Sequence, residues 1–322
     1  MKIDFTPRRE WFEYRGRETA LYVAAAYALW LVPSLTATAA IHAASIAPAI
    51  KWILALPLEI VAGFGCFAVA GIAHEGLHGS LQSDRHRSAI AGALLSAPVP
   101  GFYAPGFYVL HAQHHRYVNT SRDPVAAHYS KFNGVLRRLF VARIAEGPRY
   151  LIETARLLKP GREPLSAFVS FGTLRRAAWV TVATKIVLLA MSVALLIQAP
   201  FVCAMVIAIP AAVSVLIASA VPFLEHAQTL AEPETQSART HASPVFTLLR
   251  LGANFHLAHH LFPAIPCWRL ARVHAELTAH DPQTLAPTTD AHLMDAWKAL
   301  GRPYGIHQQP SIRAEPRQTA LP

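Results

Sequence analysis

Three histidine clusters carry the chemistry of this chain: HEGLH at His74–His78, HAQHH at His111–His115 and HLAHH at His256–His260. A fourth site, Glu225-His226, comes directly after the last long apolar stretch. Together they supply nine of the 17 imidazoles: His74, His78, His111, His114, His115, His226, His256, His259 and His260. Imidazole is the commonest metal ligand among side chains. On a helix, residues at i, i+3 and i+4 share a face. His74 and His78 are an i, i+4 pair, and each of the other clusters is an i, i+3, i+4 set, so each is expected to aim two or three ring nitrogens at one point. One ion takes about four to six protein ligands at most, so nine suit two metals better than one. A lone HxxxH on a helix is usually unremarkable. Three clusters and an outlying histidine between hydrophobic segments are not, because unpaired buried imidazoles are costly.

The elements that must position these rings are long and apolar. Hydrophobic residues make up 53% of the chain and charged residues 15%, with a mean hydropathy of +0.30. That balance suits an integral membrane protein and excludes an ordinary soluble domain. Residues 19–50 hold no Asp, Glu, Lys or Arg, residues 52–73 are apolar except for Glu59, and the sole charge in 177–224 is Lys185. A bilayer span needs about 20 apolar residues, so the last stretch holds two, with a break at Ala199-Pro200. Four spans are expected, near 20–42, 50–73, 178–198 and 201–224. Residues 88–110 are uncharged but carry Pro98, Pro100 and Pro105, which predicts a re-entrant or interfacial hairpin. Glu59 belongs either near the outer interface or against a polar interior, and an acid inside a span is a functional candidate by default.

Charge sets the orientation. The net charge of +10 gathers in the first 18 residues, with Lys2, Arg8, Arg9, Arg15 and Arg17, and in a central run from Arg116 to Arg176. The first outer loop has at most Lys51, and the second has no basic residue. The positive-inside rule then puts the N-terminus, the middle and the C-terminus of a multi-pass integral membrane protein in the cytoplasm; for a bacterial protein the expected membrane is the inner (plasma) membrane. Bases that flank spans without a nucleic-acid-binding motif fit anionic lipid headgroups, and no nucleic-acid partner is expected. An even number of crossings brings all four histidine sites to one side, where they can share a site.

No secretory signal is expected, because charged residues run to Glu18 with no short apolar core before the first long span. Cys66, Cys203 and Cys267 are scattered in or near apolar segments and read as small core residues with no disulfide framework. The segment after His307, rich in Pro, Gln and Arg, reads as disordered. The unclustered His42, His86, His128, His241, His274, His280, His292 and His307 read as ordinary polar residues.

These motifs also carry a family resemblance. The order HxxxH, HxxHH, HxxHH, separated by paired spans, resembles the membrane fatty acid desaturases and related hydroxylases. The stretch HHRYVNTSRDP (His114–Pro124) is similar to the second box of that family and the residues just beyond it, and FLEHAQT (Phe223–Thr229) to its Glu-His site after the last span. NFHLAHHLFPAIP (Asn254–Pro266) is close to its third-box signature. The likeness covers roughly residues 20–280. It implies an all-α integral membrane protein whose four transmembrane helices carry a cytoplasmic helical cap holding a di-iron site. The domain plan is then a cytoplasmic segment 1–18, a desaturase-like domain 19–280, and a cytoplasmic tail 281–322, partly disordered.

The resemblance further implies that the nine histidines ligate two iron ions. Some members add an Asn, acting through water, four residues before the isolated histidine. Here that position is Pro222, and Asn254 is the nearest substitute, or else an N-cap of the HLAHH helix. Glu75, Asp123 and Glu225 are candidates to accept an imidazole N–H and orient a ligand. For Asp123 a capping role is as good a reading, and for Glu75 the alternative is a place facing water. Iron with O2 attacks an alkyl C–H bond that side-chain acid–base or nucleophilic chemistry cannot. No four-cysteine set for an iron–sulfur cluster is present, so a separate donor of ferredoxin, cytochrome or rubredoxin type is implied. The basic face around Arg137–Arg162 suits either that donor or lipid. The expected activity is O2-dependent desaturation of a lipid or acyl-thioester substrate. Hydroxylation or ketolation of an acyl, alkane or carotenoid substrate is the alternative. A metal-dependent membrane receptor or a haem-binding electron carrier is the alternative of another class.

Overall fold

The computed structural model describes residues 5–159, 161, 168–231 and 236–304. The segment after His307 lies outside the described residues, as does Arg162. Four helices are long and apolar enough to cross a membrane: α1 (Gly16–His42), α2 (Pro48–His78), and, after the intervening α3–α7, α8 (Phe171–Gln198) and the stretch Pro200–His226. All four expected spans are present, each extended by a few residues. The last is a composite of α9 (Pro200–Cys203), a π-helical turn at Ala204–Ala208, and α10 (Ile209–His226). Pro210 has no N–H to give the carbonyl one turn back, and the Trp30 indole N–H of α1 donates to the Val206 carbonyl instead, at 2.9 Å. The proline that disturbs the helix thereby also fastens it to α1.

Between the paired spans run α3 (Arg85–Leu95), α4 (Ala104–Tyr117), α5 (Pro124–Tyr129), α6 (Val135–Phe140) and α7 (Ala142–Leu158). The expected hairpin is α3, the turn at 96–103 and α4. Lys185, the single charge in the apolar stretch, donates to the carbonyls of Ala97 and Val99 in that turn, both at 3.0 Å. It lies fifteen residues into α8, counting from Phe171, so the turn stands beside the middle of that helix. This answers the demand that irregular backbone in an apolar layer find donors within the protein. The first turns of α8 pack inward through Leu174, Ala177 and Ala178, while Trp179, Ile186, Leu189, Met191 and Ile197 are exposed, as a lipid-facing helix requires. Glu59 is buried in the bundle at 4% exposure, and neither carboxylate oxygen has a hydrogen-bond partner among the described residues.

Beyond α10 the chain forms α11 (Pro244–Leu249), α12 (His256–Leu261), α13 (Leu270–His280), α14 (Pro282–Leu285) and α15 (Leu293–Gly301). The described strands are two residues each: β1 (Thr240–His241) pairs in parallel with β2 (Thr289–Asp290). Arg239 grips Asp290 through Nε at 3.0 Å and Nη2 at 2.8 Å, a bidentate pair. The chain past residue 280 is therefore not a loose tail as far as Tyr304: Ala296, Ala299, Leu300 and Tyr304 are buried against α10 and its surroundings.

Two glycines set how the histidine helices end and meet. Gly79, at φ 88°, terminates α2 directly after His78 in the left-handed region that favours glycine. At Gly106 a Cβ would stand 1.9 Å from the Tyr150 carbonyl oxygen, so only glycine lets α4 lie this close to α7. Its N–H, one of the free donors of the first turn, is taken by the Thr154 hydroxyl at 3.0 Å. Replacing Gly106 by Val is expected to push α4 off α7 and cost at least about 1–3 kcal/mol, read as a lower unfolding temperature of the purified protein in detergent.

Candidate metal centre

The nine histidines converge at one end of the bundle, from the ends of α2 and α10 and from α4 and α12. Their ligand atoms form two groups: His74, His78, His111, His115 and His259 in one, and His114, His226, His256 and His260 in the other, with the atoms of each group within 4.8 Å of one another. Of the two or three ring nitrogens that each cluster is expected to aim at one point, it aims two. No three-histidine cluster aims at a single point; each is shared between the groups. From α4, the i, i+4 pair His111 and His115 joins the first group and His114 the second. From α12, the pair His256 and His260 joins the second and His259 the first. Successive residues turn by about 100° on a helix, so an i, i+4 pair diverges little while adjacent histidines point well apart.

The contacts between rings are made by Nε2. His74 and His259 meet at 3.0 Å, His259 and His115 at 2.9 Å, His115 and His111 at 3.0 Å. In the second group His226 and His256 meet at 3.2 Å, and His260 and His256 at 3.0 Å. A ring nitrogen has one in-plane direction, which holds either a proton or a lone pair. His259, His115 and His256 each face two other ring nitrogens from a single Nε2, which hydrogen bonding alone cannot satisfy. His78 Nε2 is buried with no hydrogen-bond partner among the described residues. Nitrogens about 3 Å apart are the spacing expected of neighbouring ligands at metal–nitrogen distances of about 2.0–2.1 Å. The donor set therefore fits metal.

Contacts behind the rings fix their tautomers. A carboxylate only accepts, so His74 Nδ1 donates to Glu75 at 3.1 Å and His114 Nδ1 donates to Asp123 at 2.8 Å. His226 Nδ1 donates to the Ser237 carbonyl at 3.1 Å. Each leaves its Nε2 lone pair facing the group. Glu75 is 2% exposed and does not face water; its second oxygen accepts from the Cys267 N–H at 3.1 Å. Asp123 fills both of its expected roles, since it also accepts from the backbone of Asn119, Val125 and Ala126. Glu225 is paired with Arg250 at 2.8 Å and lies 3.4 Å from His256 Nε2. Asn254 does not cap α12, whose N-cap is Phe255; its amide donates to the His241 carbonyl and the Thr247 hydroxyl.

A cavity opens onto both groups. Its walls include Ala68, Gly71 and Phe67 of α2, Phe107 of α4, and Ala218, Val221 and Pro222 of α10. Phe107 stacks on the His111 ring at 4.8 Å between centroids; it lies one turn before His111, so helical spacing points to it. Other participants carry no such signal in the sequence. Tyr304 stacks on His226 at 5.6 Å, from the far end of the chain. A polar cluster on the wall joins Glu146 to Tyr129 at 2.7 Å and to Arg143 at 2.6 Å, with Arg143 also donating to Tyr150 at 2.8 Å. Burial pushes the Glu146 carboxyl up, but Arg143 and Tyr129 more than offset it and hold it below its usual range. Of the remaining histidines, His86, His128 and His241 bond Thr173, the Ala142 carbonyl and the Leu224 carbonyl, and none joins either group. His307 lies outside the described residues.

Burial, with neighbouring rings, holds His111, His115, His256, His259 and His260 well below the ordinary imidazole value of 6.5. The unfolded chain then binds more protons than the folded one below that value, so stability falls as pH falls. Metal-stripped protein is expected to be insensitive to pH above about 7 and to lose unfolding temperature steadily below about 6.5, measured by thermal denaturation across pH. Asp123→Ala should lower metal affinity about 10–100-fold and also cost about 1 kcal/mol for the lost cap, read by metal content and thermal denaturation.

A family model for fatty acid desaturases matches residues 50–291. A search of curated proteins finds none that matches the chain. The family match spans well over half of the sequence and takes in every one of the nine histidines. Together with the four helices able to cross a membrane, it assigns the chain to the fatty acid desaturase family of membrane oxidoreductases.

Proposed function

We propose that this protein desaturates a fatty acyl chain, using O2 and two iron ions held by the nine histidines. The observation that carries the reading is that two groups of inward-facing ring nitrogens meet at one end of a largely apolar cavity. The overall change removes two hydrogens from adjacent carbons; with two electrons and two protons from a donor, O2 leaves as two waters. Iron with O2 supplies the oxidising power that an unactivated C–H bond demands.

The chain's own residues do the rest. His74, His78, His111, His115 and His259 hold one ion, and His114, His226, His256 and His260 the other. Glu75, Asp123 and the Ser237 carbonyl retain the Nδ1 protons and so keep the Nε2 lone pairs directed inward. Phe107, pressed on His111, and the small Ala68 and Gly71 shape the channel for a methylene chain and exclude water. The positive-inside rule supports an orientation with this end of the bundle, and both termini, in the cytoplasm. There the helices outside the spans form the cap, and a separate ferredoxin-, cytochrome- or rubredoxin-type donor delivers electrons.

The test is expression in a host of known lipid profile, then mass spectrometry of its acyl chains. The expected result is a new species lighter by two hydrogens, absent with His115→Ala although that variant reaches the membrane. A product heavier by one oxygen would make the protein a hydroxylase. Zinc alone, or a single haem, in the purified protein would sink the iron reading.

A further inference from the structure

We infer that Glu225 is a tenth ligand that completes the four-histidine group, with Arg250 holding it in place; the inference rests on the two-iron reading above. The two groups are unequal, five ring nitrogens against four. Three carboxylates approach the rings, and they do so from different sides. Glu75 and Asp123 contact Nδ1, behind the ring. Glu225 Oε2 stands 3.4 Å from Nε2 of His256, the atom that also faces His226 and His260. The carboxylate stands at the edge of the four, beside His256 and outside the set whose ligand atoms all lie within 4.8 Å of one another, and it lines the cavity.

The other oxygen of Glu225 is fixed. Oε1 accepts from Arg250 Nη2 at 2.8 Å, and both side chains are buried. The guanidinium is itself held over the Phe67 ring, 5.3 Å from its centroid. Arginine therefore occupies one oxygen and turns the other toward His256. His256 Nε2 carries at most one proton, so it cannot satisfy Glu225 Oε2, His226 and His260 together, whereas a cation among them can.

The remaining candidates for a further ligand are less well placed. Pro222, four residues before His226, has no donor atom. Asn254 gives its amide N–H groups to the His241 carbonyl at 2.8 Å and the Thr247 hydroxyl at 3.0 Å, and its Oδ1, buried without a hydrogen-bond partner among the described residues, is not on the cavity wall that Glu225 lines. Four neutral imidazoles leave the charge of a divalent ion uncompensated, and one carboxylate reduces it. The two irons are then electronically different, one in a purely imidazole set and one with an anionic oxygen.

The experiment uses the full-length protein purified in detergent and loaded with 57Fe. Iron per chain and the Mössbauer spectrum are measured for wild type, Glu225→Gln and His259→Ala. Gln keeps an acceptor for Arg250 but is a neutral, poor ligand. The expected result is two irons with distinct subspectra in the wild type. Glu225→Gln should alter one subspectrum and weaken that iron's binding by about 10–100-fold, while His259→Ala alters the other. Glu225→Gln with two irons and both subspectra unchanged would overturn the inference and leave Glu225 as Arg250's partner only. If wild type itself fails to hold two irons, the two-iron reading falls first, before any substitution is made. Should Glu225→Gln not fold, infrared difference spectra of 13C-glutamate-labelled wild type decide. A glutamate carboxylate splitting that changes on iron loading supports ligation, and an unchanged one overturns it.

Discussion

An imidazole that donates its Nδ1 proton has a single direction left in which to accept, and the architecture at this end of the protein is arranged around that restriction. His74, His114 and His226 each give the proton to a fixed acceptor at their backs. The Nε2 lone pairs are thereby committed inward, and those of His74 and His226 face other nitrogens about 3 Å away. Such an arrangement in an apolar bundle is unfavourable for neutral rings alone and favourable around cations. The acceptors are anchored in turn: Asp123 caps α5, Glu75 receives the Cys267 N–H, and Ser237 lies in the segment whose Arg239 grips Asp290. Rigidity passes from the last described residues of the chain to the ring nitrogens.

The sharing of α4 and α12 between the two groups comes from the same geometry. An HxxHH helix presents two directions, not one, and each direction is filled. This makes the second and third clusters equivalent devices of opposite assignment. It also explains why the lone His226 is required: α2 gives both of its histidines to the first group, and α10 must supply the second.

Much of this is legible in the amino-acid order. The four spans come from hydropathy and length, and the shared end from an even number of crossings. The nine residues come from spacing and the family likeness. What sequence does not supply is partnership at long range. Nothing in the pattern connects Arg250 to Glu225, Tyr304 to His226, or Ser237 to the same ring, since these contacts depend on how loops return. Asn254 illustrates the same limit. Its place beside the third box suggests a cap or a ligand, yet a short strand brings the His241 carbonyl within reach and claims the amide. Lys185 shows the reverse: an isolated charge in an apolar run marks a contact without revealing which turn it serves.

That turn has a bearing on how the protein is made. The α3–α4 hairpin cannot settle in an apolar layer until carbonyls at Ala97 and Val99 have a donor, and the lysine that provides it is synthesised nearly seventy residues after α4 ends. Five of the nine histidines, three of them on α4, are thus in the nascent chain before that hairpin has its support, and the last three emerge only with α12. Assembly of the oxidising centre is a late event of translation, and an interrupted chain leaves the ribosome without it.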